Sequence, residues 1–387
     1  MHGRTRMRLA GGLAGALLAA AALPAPAFSQ GPQTQGQAAR APAGGPDTAA
    51  LERRNQWTVG VAGGALTDPA TAFAAEIARV LDDGDNLHVL PIVAAGPAAN
   101  VDDLLALRSI DAAVTQSDVF EYFRSERGTA GLDGRVGYVI RLPVAALHVL
   151  ARTDVAALDD LRGRAVDLGA AGGAADVTGT LVLKRLGIAV DTLHLDDHAA
   201  LEKLRSGSLA ALIRVVEKPY DPLAAVPVDA ALHLVPVPLT GDLGDLYVSD
   251  KFTAADYPAL VAPDRATATL AVPRMLAVAD WPKGSERYRR VQRFVEALFN
   301  KFEQLKMPTT SGWGDLSLAA SVPGWTRFAV AEDMVQKFRE AQALGEPVAS
   351  AFPAFLKDRH PEGIEPSSDA RALFDEFKQW QKTRGGR

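Results

Sequence analysis

The sequence predicts an α/β protein of two lobes arranged as a clamshell, followed by a helical C-terminal region. Three observations predict it. Short β-rich runs alternate with amphipathic helical patterns through most of the chain, the signature of largely parallel sheets covered by helices. Successive strand ends lead into glycine or polar residues at a helix start, where the ligand crevice of an open α/β sheet lies. The alternation also restarts after Ala145–Ala151 and leaves its second run near Leu234–Val237, so the chain crosses between two lobes twice.

Trp57–Val61 reads as the first strand and ends in Ala62-Gly63-Gly64. Thr67-Asp68-Pro69 then opens a helix with a capping side chain and a proline in the first turn, and Phe73, Ile77, Val80 and Leu81 share one of its faces. The unit repeats with strand Leu87–Val93, turn Ala95-Gly96-Pro97, a helix from Asn100 to Leu107 and strand Asp111–Thr115, which delivers Gln116, Ser117 and Asp118. Strands are expected at Val136–Ile140 and Ala145–Ala151. A short helix and turn at Leu158–Arg164 precedes strand Ala165–Leu168, and the glycine-rich Gly169–Asp176 enters a helix ending at Leu186. Strand Asp191–His194, helix Asp197–Arg205 and strand Leu209–Val215 complete the second lobe. Tyr288–Leu305, with Val291, Phe294, Val295, Leu298 and Phe302 on one stripe, reads as a core-facing helix. The expected boundaries are 52–150 and 239–330 for the first lobe, 151–238 for the second and 331–387 for the helical extension. In that extension Leu373, Phe374, Phe377 and Trp380 form a stripe expected to dock on the body.

The first residues carry Arg4, Arg6 and Arg8, an apolar stretch from Leu9 to Ala22 and then Pro24 and Pro26. That is the layout of a signal peptide, assigned to residues 1–29, and its apolar stretch is shorter than the ~20 residues a permanent transmembrane helix needs. Residues 30–51 are rich in Gln, Ala, Gly and Pro and read as a disordered leader. No cysteine occurs, so folding is expected without disulfides. Lys and Arg number 41 against 46 Asp and Glu, and loss of the three early arginines would move the formal charge from −5 to −8. An acidic chain without basic runs lacks the counterion-releasing surface on which nucleic-acid affinity rests. No stable membrane insertion of the mature chain is expected, and a small-molecule or protein partner is favoured.

In order and spacing, several segments resemble the TAXI receptors, the solute-binding proteins of TRAP transporters. They are Val59–Gly64, Gly96 with Asn100, Asp111–Val119 and Leu158–Gly163 with the glycine turn after it. Tyr257-Pro258, Thr269–Val272, Leu316–Ala320 and Pro323-Gly324-Trp325 continue the likeness across nearly all of residues 56 to 330. The resemblance implies a type II periplasmic-binding-protein clamshell that closes on a small anionic solute, such as an amino acid, a dicarboxylate or an oxo acid. It also implies presentation of that solute to TRAP membrane subunits, with no cofactor. Where relatives carry Gly-Ser-Gly-Thr in the second-lobe turn, this chain has Gly172-Gly173-Ala174-Ala175, which lacks two hydroxyl donors.

Candidate ligand-binding residues follow from position and chemistry. Gly63, Gly64, Gly172, Gly173 and Ala174 can bring backbone N–H groups to a ligand, although tight strand-to-helix turns explain the same glycines. Asn100 and Gln116 follow strand ends and can both donate and accept. Asp118 shares that position and reads equally as a helix cap. Arg214 interrupts an apolar strand, where its guanidinium can grip a carboxylate in bidentate fashion or pair internally with Glu217 or another acid. His194 and His198 invite a metal reading, but one closes a strand and the other opens a helix, with no cysteine nearby. No metal site and no catalytic residue are assigned. The alternatives are an enzyme on the same two-lobed fold and a binding protein that serves signalling. Absence of a cysteine excludes the cofactor attachment of a porphobilinogen-deaminase-like enzyme, and no G-x-S-x-G elbow occurs.

Overall fold

The strand-to-helix units of the first lobe form as the residue pattern dictates. In the computed structural model β1 (Thr58–Ala62), α1 (Pro69–Leu81), β2 (His88–Ile92), α2 (Pro97–Ala106), β3 (Ala112–Gln116) and α3 (Val119–Glu126) follow one another. Asp68 caps α1 as expected, its Oδ1 accepting from Ala70 N at 2.8 Å. The structure describes residues 55–359 apart from 85, 228–230 and 308–311, together with 373, 375–377 and 379–380. The expected signal peptide, leader and Phe374 lie outside the described residues.

The two strands expected after α3 are one, β4 (Val136–Arg152). Pro143, which lacks an N–H, lies in the gap between the two expected strands. It falls where pairing with β10 (Thr267–Ala279) shifts register, between Val272 and Arg274, so no ladder hydrogen bond is forfeited there. The second half then adds β5 (Ala165–Asp167), α4 (Ala174–Arg185), β6 (Asp191–Leu193), α5 (Asp197–Ser206), β7 (Ala211–Val216) and α6 (Asp221–Ala224). Two short strands, β8 (Leu232–Leu234) and β9 (Val248–Phe252), precede β10.

The strands form one mixed sheet in the order β2-β1-β3-β10-β4-β7-β5-β6, with β8 beside β4 and β9 beside β10. Each outer group is parallel, whereas β4 and β10 run antiparallel to their neighbours and pass through both halves. The result is the two-lobed α/β clamshell that the sequence predicts. Along β4 the period of two is visible: Ala145, Leu147, Val149 and Ala151 enter one core, while Ala146 and Leu150 enter the core on the opposite face. The first half has its own pair of cores. One gathers Phe73, Ile77 and Trp313 with the stripe of α7 (Glu286–Asn300), and the other gathers Val101, Phe120 and Phe123.

The single helix expected from Tyr288 to Leu305 is α7 followed by a separate turn, α8 (Phe302–Leu305), broken at Lys301. Its stripe is core, as the periodicity requires. α9 (Ala329–Arg359) opens the C-terminal region, and there Phe377 and Trp380 pack on Phe355 of α9. Among the described residues no helix is long and apolar enough to cross a membrane.

Candidate functional site

A cavity of ≈ 290 Å³ opens between the two halves. The first half supplies Thr67, Asp68 and Ala95, and the second supplies Gly169, Ala170, Gly173–Ala175, Asp196, Asp197, Arg214 and Tyr220. The N-terminus of α4 points its first turn here: Gly173 is the N-cap residue, and no side chain caps the helix. Its leading N–H groups have no intrahelical acceptor, so the turn is a ready anion cradle.

Arg214 is 7% exposed and lines the same cavity. Its Nε donates to Asp197 Oδ1 at 2.6 Å and its Nη1 to Asp167 Oδ2 at 2.6 Å, with a further bond to Ile213 O at 2.7 Å. Nη2 is buried without a partner. The bidentate grip expected from the sequence is therefore not on offer, because two of the three guanidinium nitrogens are engaged within the protein. Only the two N–H groups of Nη2 remain. Glu217, a partner considered from sequence proximity, pairs with Arg274 instead. Burial works to lower the pKa of Arg214, but hydrogen bonds and charges from Asp197 and Asp167 outweigh it and hold the guanidinium protonated. Tyr220 donates its hydroxyl to Asp197, and burial together with that carboxylate pushes its pKa up. The charged residues lining the cavity are thus Asp68, Asp196 and Asp197 against Arg214 alone. This balance opposes a solute that carries only negative charge.

The other sequence-selected residues lie beside the cavity and do not line it. Gly63 N donates to Ile92 O and Gly64 N to Thr71 Oγ1, which fixes the turn after β1. Asn100 Nδ2 bridges Gly63 O at 2.6 Å and Val114 O at 2.7 Å, tying the ends of β1 and β3. Gly172 has a φ of 72° and donates to Asp176 Oδ2 at 2.8 Å. Gln116 and Asp118 meet at a seam between the halves. Gln116 Nε2 donates to Asp118 Oδ1 at 2.7 Å and Thr178 Oγ1 at 2.8 Å, while Thr178 and Tyr247 donate to Asp118 Oδ2 at 2.8 and 3.0 Å. Asp118 stands at the N-cap position of α3 without capping it, because its carboxylate turns to this network. Burial raises its pKa, and the bonds from Thr178, Gln116 and Tyr247 only partly offset that.

Sequence reasoning missed Asp167, Asp197 and Tyr220 as the frame of Arg214. A signal existed in the rule that a buried guanidinium needs acids, but their identity is set by long-range folding. The two histidines of the metal reading separate. His194 Nδ1 lies 2.8 Å from Gly169 O, whereas His198 sits 3.8 Å from Glu202 on an exposed helix face.

No family model matches the chain. Among solved structures it is similar to a mutant of ArgBP from T. maritima, with 14% identity and a TM-score of 0.38 over 66% of this chain and 94% of that one. It is also similar to a periplasmic transporter, with 12% identity and a TM-score of 0.42 over 75% and 96% of the two chains. A third likeness is to the alkanesulfonate-binding protein SsuA from Xanthomonas axonopodis pv. citri bound to MOPS, with 14% identity and a TM-score of 0.38 over 65% and 73%.

Proposed function

We propose that this chain is an extracytoplasmic receptor that holds a small zwitterionic solute, an amino acid, in the cavity between its halves and delivers it to the membrane subunits of a TRAP-type importer. The observation that carries the reading is that buried Arg214, whose Nη2 has no partner, lines a cavity entered by the uncapped N-terminus of α4. Together they offer a carboxylate the N–H groups of one guanidinium nitrogen and several backbone donors. Asp68 and Asp196, whose carboxylates cap α1 and α5 and form no ion pair among the described residues, then call for a cationic group on the same solute. Of the three solute classes expected from the sequence, an amino acid satisfies both halves of this demand. A dicarboxylate or oxo acid satisfies one.

The role is capture without chemistry. Where β4 and β10 cross between the halves, at Leu142–Ala145 and Val272–Arg274, the paired strands join the two halves that line the solute cavity. The TRAP assignment is supported by the ordered sequence resemblance across residues 56 to 330. Export is supported by the signal-peptide layout of the first residues.

A thermal-shift screen of amino acids, dicarboxylates and oxo acids tests the solute class, because a ligand far above its dissociation constant raises the melting temperature by mass action. Stabilisation by one or more amino acids is expected. Stabilisation by dicarboxylates alone would overturn the zwitterionic reading, and turnover of any stabilising compound would move the protein to the enzyme class.

A further inference from the structure

Helix α4 belongs to the second half by sequence and sheet order, yet it is packed from both sides. Ala175, Val182 and Leu183 enter a core of the second half, while Val177 and Leu181 are buried in the core that holds Val101, Phe120 and Phe123 of the first. Between those apolar contacts lies the Gln116–Asp118–Thr178–Tyr247 network, in which Gln116 and Asp118 are 0% exposed and Thr178 1%. The donors of Gln116, Thr178 and Tyr247 all reach partners inside it, so opening the seam would leave them to find replacements in water.

Further contacts run along the same seam. Ala98 N donates to Gly172 O at 3.2 Å, Tyr122 Oη to Asp176 Oδ2 at 3.3 Å, and Lys184 pairs with Glu126 at 2.7 Å. Gly96, at φ 130°, sits so close to Gly173 that a Cβ on it would lie 2.8 Å from the Gly173 Cα. The backbones of the two halves are therefore in van der Waals contact beside the cavity. The buried carboxylate of Asp118 works against this arrangement, but three donors surround it and separation would also expose Val177 and Leu181.

We infer that α4 is a built-in latch: its polar network and apolar face hold the two halves together without help from a solute, so that solute enters past Thr67. Thr67 lines the cavity and is exposed. The inference concerns the solute-free protein and stands or falls apart from the identity of the solute.

The absence of native cysteines allows clean spin labelling of the full chain. Arg79→Cys on α1 and Lys203→Cys on α5 place labels at exposed positions of opposite halves. Double electron–electron resonance of the solute-free protein should give one distance population. Thr178→Val, which keeps side-chain shape while removing the central hydroxyl, should add a second, longer population in protein whose circular dichroism is unchanged. A dominant long population in the unmutated solute-free protein would overturn the latch, and so would a single unshifted population in folded Thr178→Val. If Thr178→Val does not fold, the distance distribution of the unmutated protein decides alone.

Discussion

Two buried polar networks flank helix α4, and they differ in one respect. At its N-terminal end Asp167, Asp197 and the Ile213 carbonyl engage all of Arg214 except Nη2, which has no protein acceptor, and Tyr220 donates to Asp197. Along its side the donors of Gln116, Thr178 and Tyr247 are all taken up, chiefly by Asp118, and the atom left over is an acceptor, Gln116 Oε1. A network with a donor left over at a cavity is suited to bind, because a ligand can supply the missing acceptor. A network whose donors are satisfied internally is suited to join two bodies. The same helix thus carries a site at its end and a joint on its flank.

The sharpest way to break this contrast is to remove Arg214. Arg214→Ala leaves the fully buried Asp167 without its cation, and breaking a buried pair by removing one partner costs roughly 3–5 kcal/mol. Denaturant unfolding should register that loss, and Asp167→Asn in the Arg214→Ala background should recover part of it. A loss under about 1 kcal/mol, as for an exposed ion pair, would show that the guanidinium is not held as described.

A third buried group supplies a neutral reference. His148 bonds Ala146 O at 2.9 Å and Tyr257 Oη at 2.7 Å, and burial lowers its pKa from 6.5 to about 4. Because the folded-state value is depressed, the unfolded chain takes up a proton first as pH falls. Stability from this group is complete above pH 6.5 and is lost progressively towards pH 4, by at most roughly 3 kcal/mol. Unfolding titrations from pH 7 to 4 should show a shallower slope for His148→Gln than for the unmutated protein. Parallel slopes would contradict the neutral buried imidazole.

Thr178→Val should have a smaller effect, about 1–3 kcal/mol, by depriving Asp118 and Gln116 of one partner each. Its cost should add to that of Arg214→Ala if the two networks are independent, since distant sites without shared partners behave additively. Strong non-additivity would mean that site and joint are one coupled device.

Local chemistry made much of the fold legible. The Asp68 cap, the glycine turns and the period-two strands depend on residues close in sequence, and each forms where the pattern places it. β4 was not legible as one strand, because a proline such as Pro143 is tolerated inside a strand only at a place like the register shift with β10, which is set by a distant partner. In the site, Gly173, Ala174 and Arg214 do line the cavity, but Asn100, Gln116 and Asp118 turn inward to backbone carbonyls and to one another. Strand-end position fixes where a side chain starts and says little about which distant partner it meets. The partners of Arg214 come from β5 and α5, residues 47 and 17 positions away, which no local pattern encodes.

The carboxylate cradle can be tested with almost no cost to the fold. Ala174 is the first helical residue of α4, a position that accepts proline, and Gly173 before it already has extended backbone, so Ala174→Pro deletes one N–H donor while preserving the helix. Calorimetric titration with the amino acid that stabilises the protein best should show affinity falling about tenfold, near 1.4 kcal/mol, in Ala174→Pro with an unchanged solute-free melting temperature. Equal affinity in both proteins would contradict binding at the α4 N-terminus.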